Sequence, residues 1–222
     1  MALGTLLARL AEEHGEPKEL RFRTPLERIL FENVAYLVDD ERRAEAFAAL
    51  RRRIGLSAAA ILAADETTLR EVAALGGMLA EERVAKLREI ALLALELGDD
   101  ELRGTLAMAP DAARKVFARF PGIGRPGADK LLLFCGIAPV LAFESNGLRV
   151  LLRLGYGKEG ASYAASYRSA CAAVESELPA TGEARRRAHV LLRRHGQTLC
   201  RRTTPDCSRC CLAADCPARV RP

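Results

Sequence analysis

Seven cysteines occur among the 222 residues, and four of them fall in one short arginine-rich stretch. Cys200, Cys207, Cys210 and Cys216 are spaced C-x6-C-x2-C-x5-C. Thiolates this close in sequence can converge on a single metal centre, and the Cys207–Cys210 pair resembles the C-x2-C turns that grip zinc or iron–sulfur clusters. Zinc sites usually pair two such turns across a longer insert. Here one turn is flanked by gaps of six and five residues. A disulfide-stapled tail is the remaining reading of the same residues. Cys211 stands beside Cys210, outside the spacing, and is read as a bystander.

A second constellation is Phe120-Pro121-Gly122-Ile123-Gly124-Arg125, which joins two expected helices at roughly 111–119 and 126–135. Two glycines allow a tight hairpin and bring its backbone N–H groups to the surface. The helix that follows aims its first-turn donors and its dipole at an anion such as a phosphate. Arg125 adds a charge at the same point. An ordinary glycine-rich turn between helices is the plainer alternative.

The elements that must position these groups are nearly all helical. Ala, Leu, Arg and Glu dominate at helical spacing, and no stretch alternates like a strand. A first helix is expected at 3–14. Thr24-Pro25 reads as a cap followed by proline at the first helical position, opening PLERILFENVAYLV with Leu26, Ile29, Leu30 and Leu37 buried. Asp39-Asp40, Ser57 and Asp65 each open a further helix. A longer one covers 80–97, another 161–178, and the basic EARRRAHVLLRRHG leads into the cysteine stretch. There is no internal repeat.

The net charge of +5 is moderate, but its distribution is not even. From Arg185 onward ten arginines face two acids, Asp206 and Asp215, an asymmetry that favours a polyanionic partner. Trp is absent and aromatics are 5% of the chain, which argues against single-strand recognition by extensive stacking. No apolar run is long enough to span a membrane. The N-terminal MALGTLLARLAEEHGE reads as an amphipathic helix rather than a signal peptide, so a thiolate site in a reducing cytoplasm, near the nucleoid, is expected.

With hairpin and cysteines in this order, residues 20–217 resemble the helix–hairpin–helix DNA glycosylases, specifically the iron–sulfur branch that contains endonuclease III. The resemblance implies an all-α fold: a helical barrel domain at 25–138, a cluster domain from 1–24 and 139–222, and a DNA cleft between them. It implies a 4Fe–4S cluster on Cys200, Cys207, Cys210 and Cys216, and a monomer acting on double-stranded DNA that contains a lesion or mispair. The target base is flipped out of the duplex, and side chains plug or wedge the gap it leaves. By position, Asn33 matches the plug and Met78 the wedge, while Pro121, Gly122, Ile123, Gly124 and Arg125 match the phosphate-binding hairpin.

Two departures bear on mechanism. Strand-cleaving members carry a lysine directly after the G-x-G-R; this chain has Pro126, which offers no nucleophile. Lys130 lies one helical turn further on and reads as a phosphate or surface contact. The family aspartate aligns with Glu144 in AFESNGLRV. A carboxylate there stabilises an oxocarbenium-like sugar or guides water, and Glu144 reads alternatively as a helix-start acid near Ser145 and Asn146. The resemblance thus implies a monofunctional N-glycosylase, with a non-catalytic iron–sulfur DNA-binding protein of the same fold as the alternative.

Overall fold

The structure, a computed structural model, describes residues 1–18 and 22–220. It is all-α, as the periodicity predicts, and no strand occurs among the described residues. The chain divides into two compact units, residues 21–131 and residues 1–20 with 132–222.

The 21–131 unit, here the hairpin unit, contains α2 (Pro25–Asn33), α3 (Asp40–Arg53), α4 (Ala58–Ala63), α5 (Glu66–Leu75), α6 (Ala80–Leu97), α7 (Asp99–Gly104) and α8 (Pro110–Phe117). Their starts follow from capping chemistry. The side chains of Thr24, Asp39, Ser57 and Asp65 each accept from the backbone N–H three residues on, at 3.2, 2.8, 3.2 and 2.8 Å, satisfying donors that a helix cannot satisfy internally. The central helix is α6, which packs against α2, α4 and α5 through the buried Val84, Leu87, Ile90 and Ala94.

Two helices depart from their expected extents, the one expected over 161–178, which covers Tyr163–Val174, and α2. α2 ends at Asn33 rather than near Val38, and Leu37, expected in the core, is 73% exposed. The chain leaves the helix at Val34 and Ala35, both buried, and Tyr36 N–H then donates to Gly76 O at 2.9 Å. That bond ties the segment to the loop before α6 and turns Leu37 outward with φ 54°.

α9 (Arg125–Phe134) carries the chain onward from the hairpin. The second unit, here the cysteine unit, holds α1 (Leu3–His14), α10 (Ser145–Arg153), α11 (Tyr163–Val174) and α12 (Gly182–Thr198). Leu3, Leu6, Leu7 and Leu10 lie on one face of α1 at helical spacing and are buried, where α1 packs on α12. α10 packs on α12 more extensively. Gly196 permits it: a Cβ there would stand 2.5 Å from Asn146 O.

Candidate functional site

In the hairpin, Phe120 and Ile123 are buried while Gly124 and Arg125 face solvent. The apolar pair fixes the loop, and Gly122 takes φ +74°, a left-handed conformation that costs glycine little. Pro126 sits in the first turn of α9, where its missing N–H removes no helical bond. Arg125 Nε is 4.0 Å from Asp129 Oδ2, and Asp129 also accepts from Arg114 Nε at 2.7 Å.

Lys130 is placed differently from its expectation as a phosphate or surface contact. Its side chain is 11% exposed and its ammonium pairs with the buried carboxylate of Glu32. Arg28 Nη2 joins the same carboxylate at 2.5 Å. Burial alone would raise the Glu32 pKa, but Lys130, Arg28 and Arg43 outweigh it and hold the group well below the usual carboxylate range. One helical turn past Pro126 points the lysine inward, so its charge is neutralised inside the unit.

Asn33 ends α2, half-buried, with its Nδ2 donating to Ile29 O at 3.0 Å. Its Oδ1 lies 2.8 Å from the position of a Cβ on Gly122, so the structure brings Asn33 to the hairpin. Met78 is 64% exposed. Beside it lie residues with no sequence signal: Tyr36, Leu37 and Leu79 are 53%, 73% and 51% exposed. Leu37 and Leu79 are the non-glycine residues at positive φ among the described residues, at 54° and 63°. Each such conformation costs about 1–2 kcal/mol. Strain of this kind persists where surrounding structure imposes it. Here the clamp is Arg83, buried, which donates to Ala73 O at 2.7 Å, Gly77 O at 3.3 Å and Met78 O at 2.6 Å. Strained, displayed leucines leave no periodic mark, so of this ridge only Met78 is legible, through the position it matches in the resemblance.

Glu144, in the cysteine unit, is itself the N-cap of α10. Its Oε1 accepts from Gly147 N at 2.8 Å and its Oε2 from Asn146 Nδ2 at 2.9 Å. From there a chain of hydrogen bonds runs to the cysteines. Arg149 Nη2 donates to Asn146 Oδ1 at 2.8 Å and to Gly196 O at 2.7 Å, and Arg149 Nε donates to Cys200 O at 3.0 Å. Arg153 Nη1 reaches Cys200 Sγ at 3.3 Å and Arg201 O at 2.8 Å. The arginines of α10 thus link the candidate carboxylate to the cysteine loop, a role that no local spacing announces.

Cys200, Cys207, Cys210 and Cys216 line one cavity of about 190 Å³, and Cys211 does not. All are free thiols, so the disulfide reading is not what the chain adopts. Burial pushes the Cys210 thiol up to about 11, against a hydrogen bond from Leu212 and with the neighbouring thiols adding to the rise. Burial likewise raises Cys216. Four thiolates here would repel one another without a cation. Among the described residues no three His, Cys, Asp or Glu side chains stand close enough to hold a single metal ion. Sulfurs sharing one zinc lie about 3.8 Å apart, from Zn–S bonds of about 2.3 Å. Four cysteine sulfurs lining one cavity are the donor type that iron–sulfur clusters use.

The arginine block is partly used within its own unit. Arg185 is 6% exposed and bonded to Glu175 at 2.6 Å, and Arg187 holds Glu16 at 2.7 and 2.6 Å. Arg194, Arg201 and Arg202 remain on the surface.

Comparison of the whole chain with solved structures gives three informative likenesses. A non-covalent endonuclease III–DNA complex aligns with a TM-score of 0.73 at 18% identity, over 97% of this chain and 94% of that one. A thermostable thymine-DNA glycosylase gives 0.71 at 15% identity, over 97% and 95%. This chain has the helix–hairpin–helix glycosylase fold. The Helicobacter pylori 3-methyladenine DNA glycosylase MagIII, bound to 1,N6-ethenoadenine, gives 0.61 at 16% identity over 89% and 95%. No family model and no curated protein matches the sequence. Among the described residues no helix is long and apolar enough to cross a membrane.

Proposed function

We propose that the protein is a DNA glycosylase that hydrolyses the N-glycosidic bond of a damaged or mispaired base in duplex DNA. The observation that carries this reading is Glu144, a carboxylate fixed at the start of α10 by Gly147 N–H and Asn146 in a fold whose solved relatives include endonuclease III on DNA. As the base leaves, positive charge develops on the sugar. A carboxylate already oriented by its cap stabilises that charge without reorganising, and it can also orient the attacking water. Pro126 supplies no amine for a covalent sugar adduct, and Lys130 is paired with Glu32. The reaction is therefore hydrolytic, with no lyase step.

The hairpin 121–125 binds a phosphate. Met78, Leu37 and Leu79 occupy the gap left by the flipped base, and Asn33 buttresses the hairpin. Cys200, Cys207, Cys210 and Cys216 would hold a 4Fe–4S cluster, which would compensate the thiolate charge and cross-link the loop; Arg153 and Arg149 orient Cys200 from α10. The protein works as a monomer on double-stranded DNA.

The test is release of free base from a panel of lesion and mispair duplexes. Wild type should release base from at least one, leaving breaks only after alkali or heat, and Glu144→Gln should abolish release while keeping affinity. Tight binding with no base released from any duplex would replace this reading with a non-catalytic DNA-binding protein. A borohydride-trapped adduct that disappears with Lys130→Ala would replace it with a lyase.

A further inference from the structure

Three elements of the hairpin unit meet at Gly122. A Cβ built there would stand 2.8 Å from Asn33 Oδ1, 3.5 Å from Lys86 Nζ and 3.7 Å from Lys86 Cδ. The side chain of Lys86, from the middle of α6, therefore lies along the hairpin backbone at its left-handed residue. A Cβ at Gly122 would press on Asn33 Oδ1, while Lys86 lies at ordinary contact distance.

The charges around the hairpin are otherwise balanced. Arg125 faces Asp129, Arg114 is held by Asp129 and Asp111, and Lys130 is paired with Glu32. On α6 itself, Arg88 pairs with Glu66 at 3.0 Å and Arg83 is bound to carbonyls. Lys86 differs. It is half-buried, and among the described residues it makes no hydrogen bond or ion pair. Among the described residues no carboxylate faces it, so an anion arriving at the hairpin meets a positive charge that no partner shares. The adjacent loop leads into a helix start, whose first-turn N–H groups lack intrahelical acceptors. The Lys86 side chain and the hairpin backbone therefore lie side by side.

We propose that Lys86 is a phosphodiester-binding residue, completing with the Gly122–Arg125 backbone a composite site for one DNA phosphate. This rests on the glycosylase reading above. The backbone donors supply direction, and the ammonium supplies the net charge that Arg125 and Lys130 share with carboxylates. Asn33 holds the notch open by occupying the other side of Gly122. α6 keeps Lys86 in register because Arg83, three residues earlier, clamps the helix start.

The experiment is the salt dependence of affinity for an undamaged duplex, measured by fluorescence anisotropy on the full chain. Each neutralised phosphate contributes about 0.9 to the slope of log K against log salt. Lys86→Met keeps the apolar stem and should lower the slope by about 0.9 and the affinity about 5- to 10-fold at 0.1 M salt. Lys86→Arg should keep the slope. Lys158→Met removes the same charge from an exposed site in the other unit and should move the slope far less. A wild-type slope in Lys86→Met, with wild type binding duplex, would overturn this assignment alone. Salt-insensitive or absent duplex binding by wild type would overturn the glycosylase reading with it. Should Lys86→Met melt early, the slope of Lys86→Gln decides on the same terms.

Discussion

Arg149 holds the cysteine loop and the candidate carboxylate with one guanidinium: its Nε donates to Cys200 O at 3.0 Å and its Nη2 to Asn146 Oδ1 at 2.8 Å. Asn146 in turn donates to Glu144. Three acceptors, counting Gly196 O, depend on this side chain. Arg149→Ala should cost about 2–4 kcal/mol, since unsatisfied part-buried acceptors cost about 1–3 kcal/mol each and water recovers some of that. Chemical denaturation measures it. A cost below about 0.5 kcal/mol would show that water replaces the guanidinium freely and that the link is not structural.

Glu144 carries two roles that substitution separates. Gln keeps an oxygen for Gly147 N–H, so Glu144→Gln should melt close to wild type although base release is lost. Glu144→Ala removes the cap and should cost about 1 kcal/mol. Glu144→Asp, with the shorter side chain that helix caps favour, should be as stable as wild type or more so. An Ala variant as stable as wild type would argue that α10 does not need its cap.

Acid stability should report on Glu32. Its folded pKa is depressed, so its contribution is fully present above the unfolded value near 4.5 and is lost as pH falls below that. The thermal midpoint should drop between pH 4.5 and 3. Glu32→Gln strands Lys130 in a buried setting and should cost about 3–5 kcal/mol at pH 7. The double variant Glu32→Gln, Lys130→Met should recover part of this and flatten the acid profile. An acid profile unchanged in the double variant would assign the acid sensitivity to other carboxylates.

Leu37 should separate stability from function. Asn tolerates the left-handed region better than a branched apolar residue does, and little apolar surface is lost at a 73% exposed position. Leu37→Asn should hold or gain up to about 1 kcal/mol of stability while base release falls several-fold. A destabilisation above about 1 kcal/mol would mean that the leucine packs rather than projects.

The cysteines divide cleanly. Cys207→Ser should lose the broad visible absorbance and bound iron of anaerobically purified protein, and Cys211→Ser should keep both. Stoichiometric zinc without iron in the wild type would exclude the cluster.

Local chemistry made much of the fold legible. Thr24, Ser57 and Asp65 act as caps because their oxygens reach the N–H three residues on, a relation contained in four consecutive residues. The Pro121–Gly124 turn and the cysteine spacing are local in the same way. What escaped depends on partners distant in sequence. Leu37 leaves its helix because of Gly76, and Lys130 turns inward because Glu32 lies 98 positions earlier. Lys86 looks like any exposed helix lysine until the hairpin folds against it. The register of Arg149 on Gly196 and Cys200 follows from α10 lying on α12, which no short window contains.

The placement of α1 has a consequence for synthesis. Its leucine face is buried in the cysteine unit against α12, and Leu3 N–H donates to Glu177 at 2.8 Å. Those partners emerge from the ribosome roughly 170 to 190 residues later, which at about 5–20 residues per second is a wait of about 10–40 s. Meanwhile residues 21–131 are complete and free to fold. The nascent chain therefore trails an unsatisfied amphipathic helix ahead of a folded body, open to chaperones that capture such faces. A helix made before residues 21–131 thus finds its place after they do.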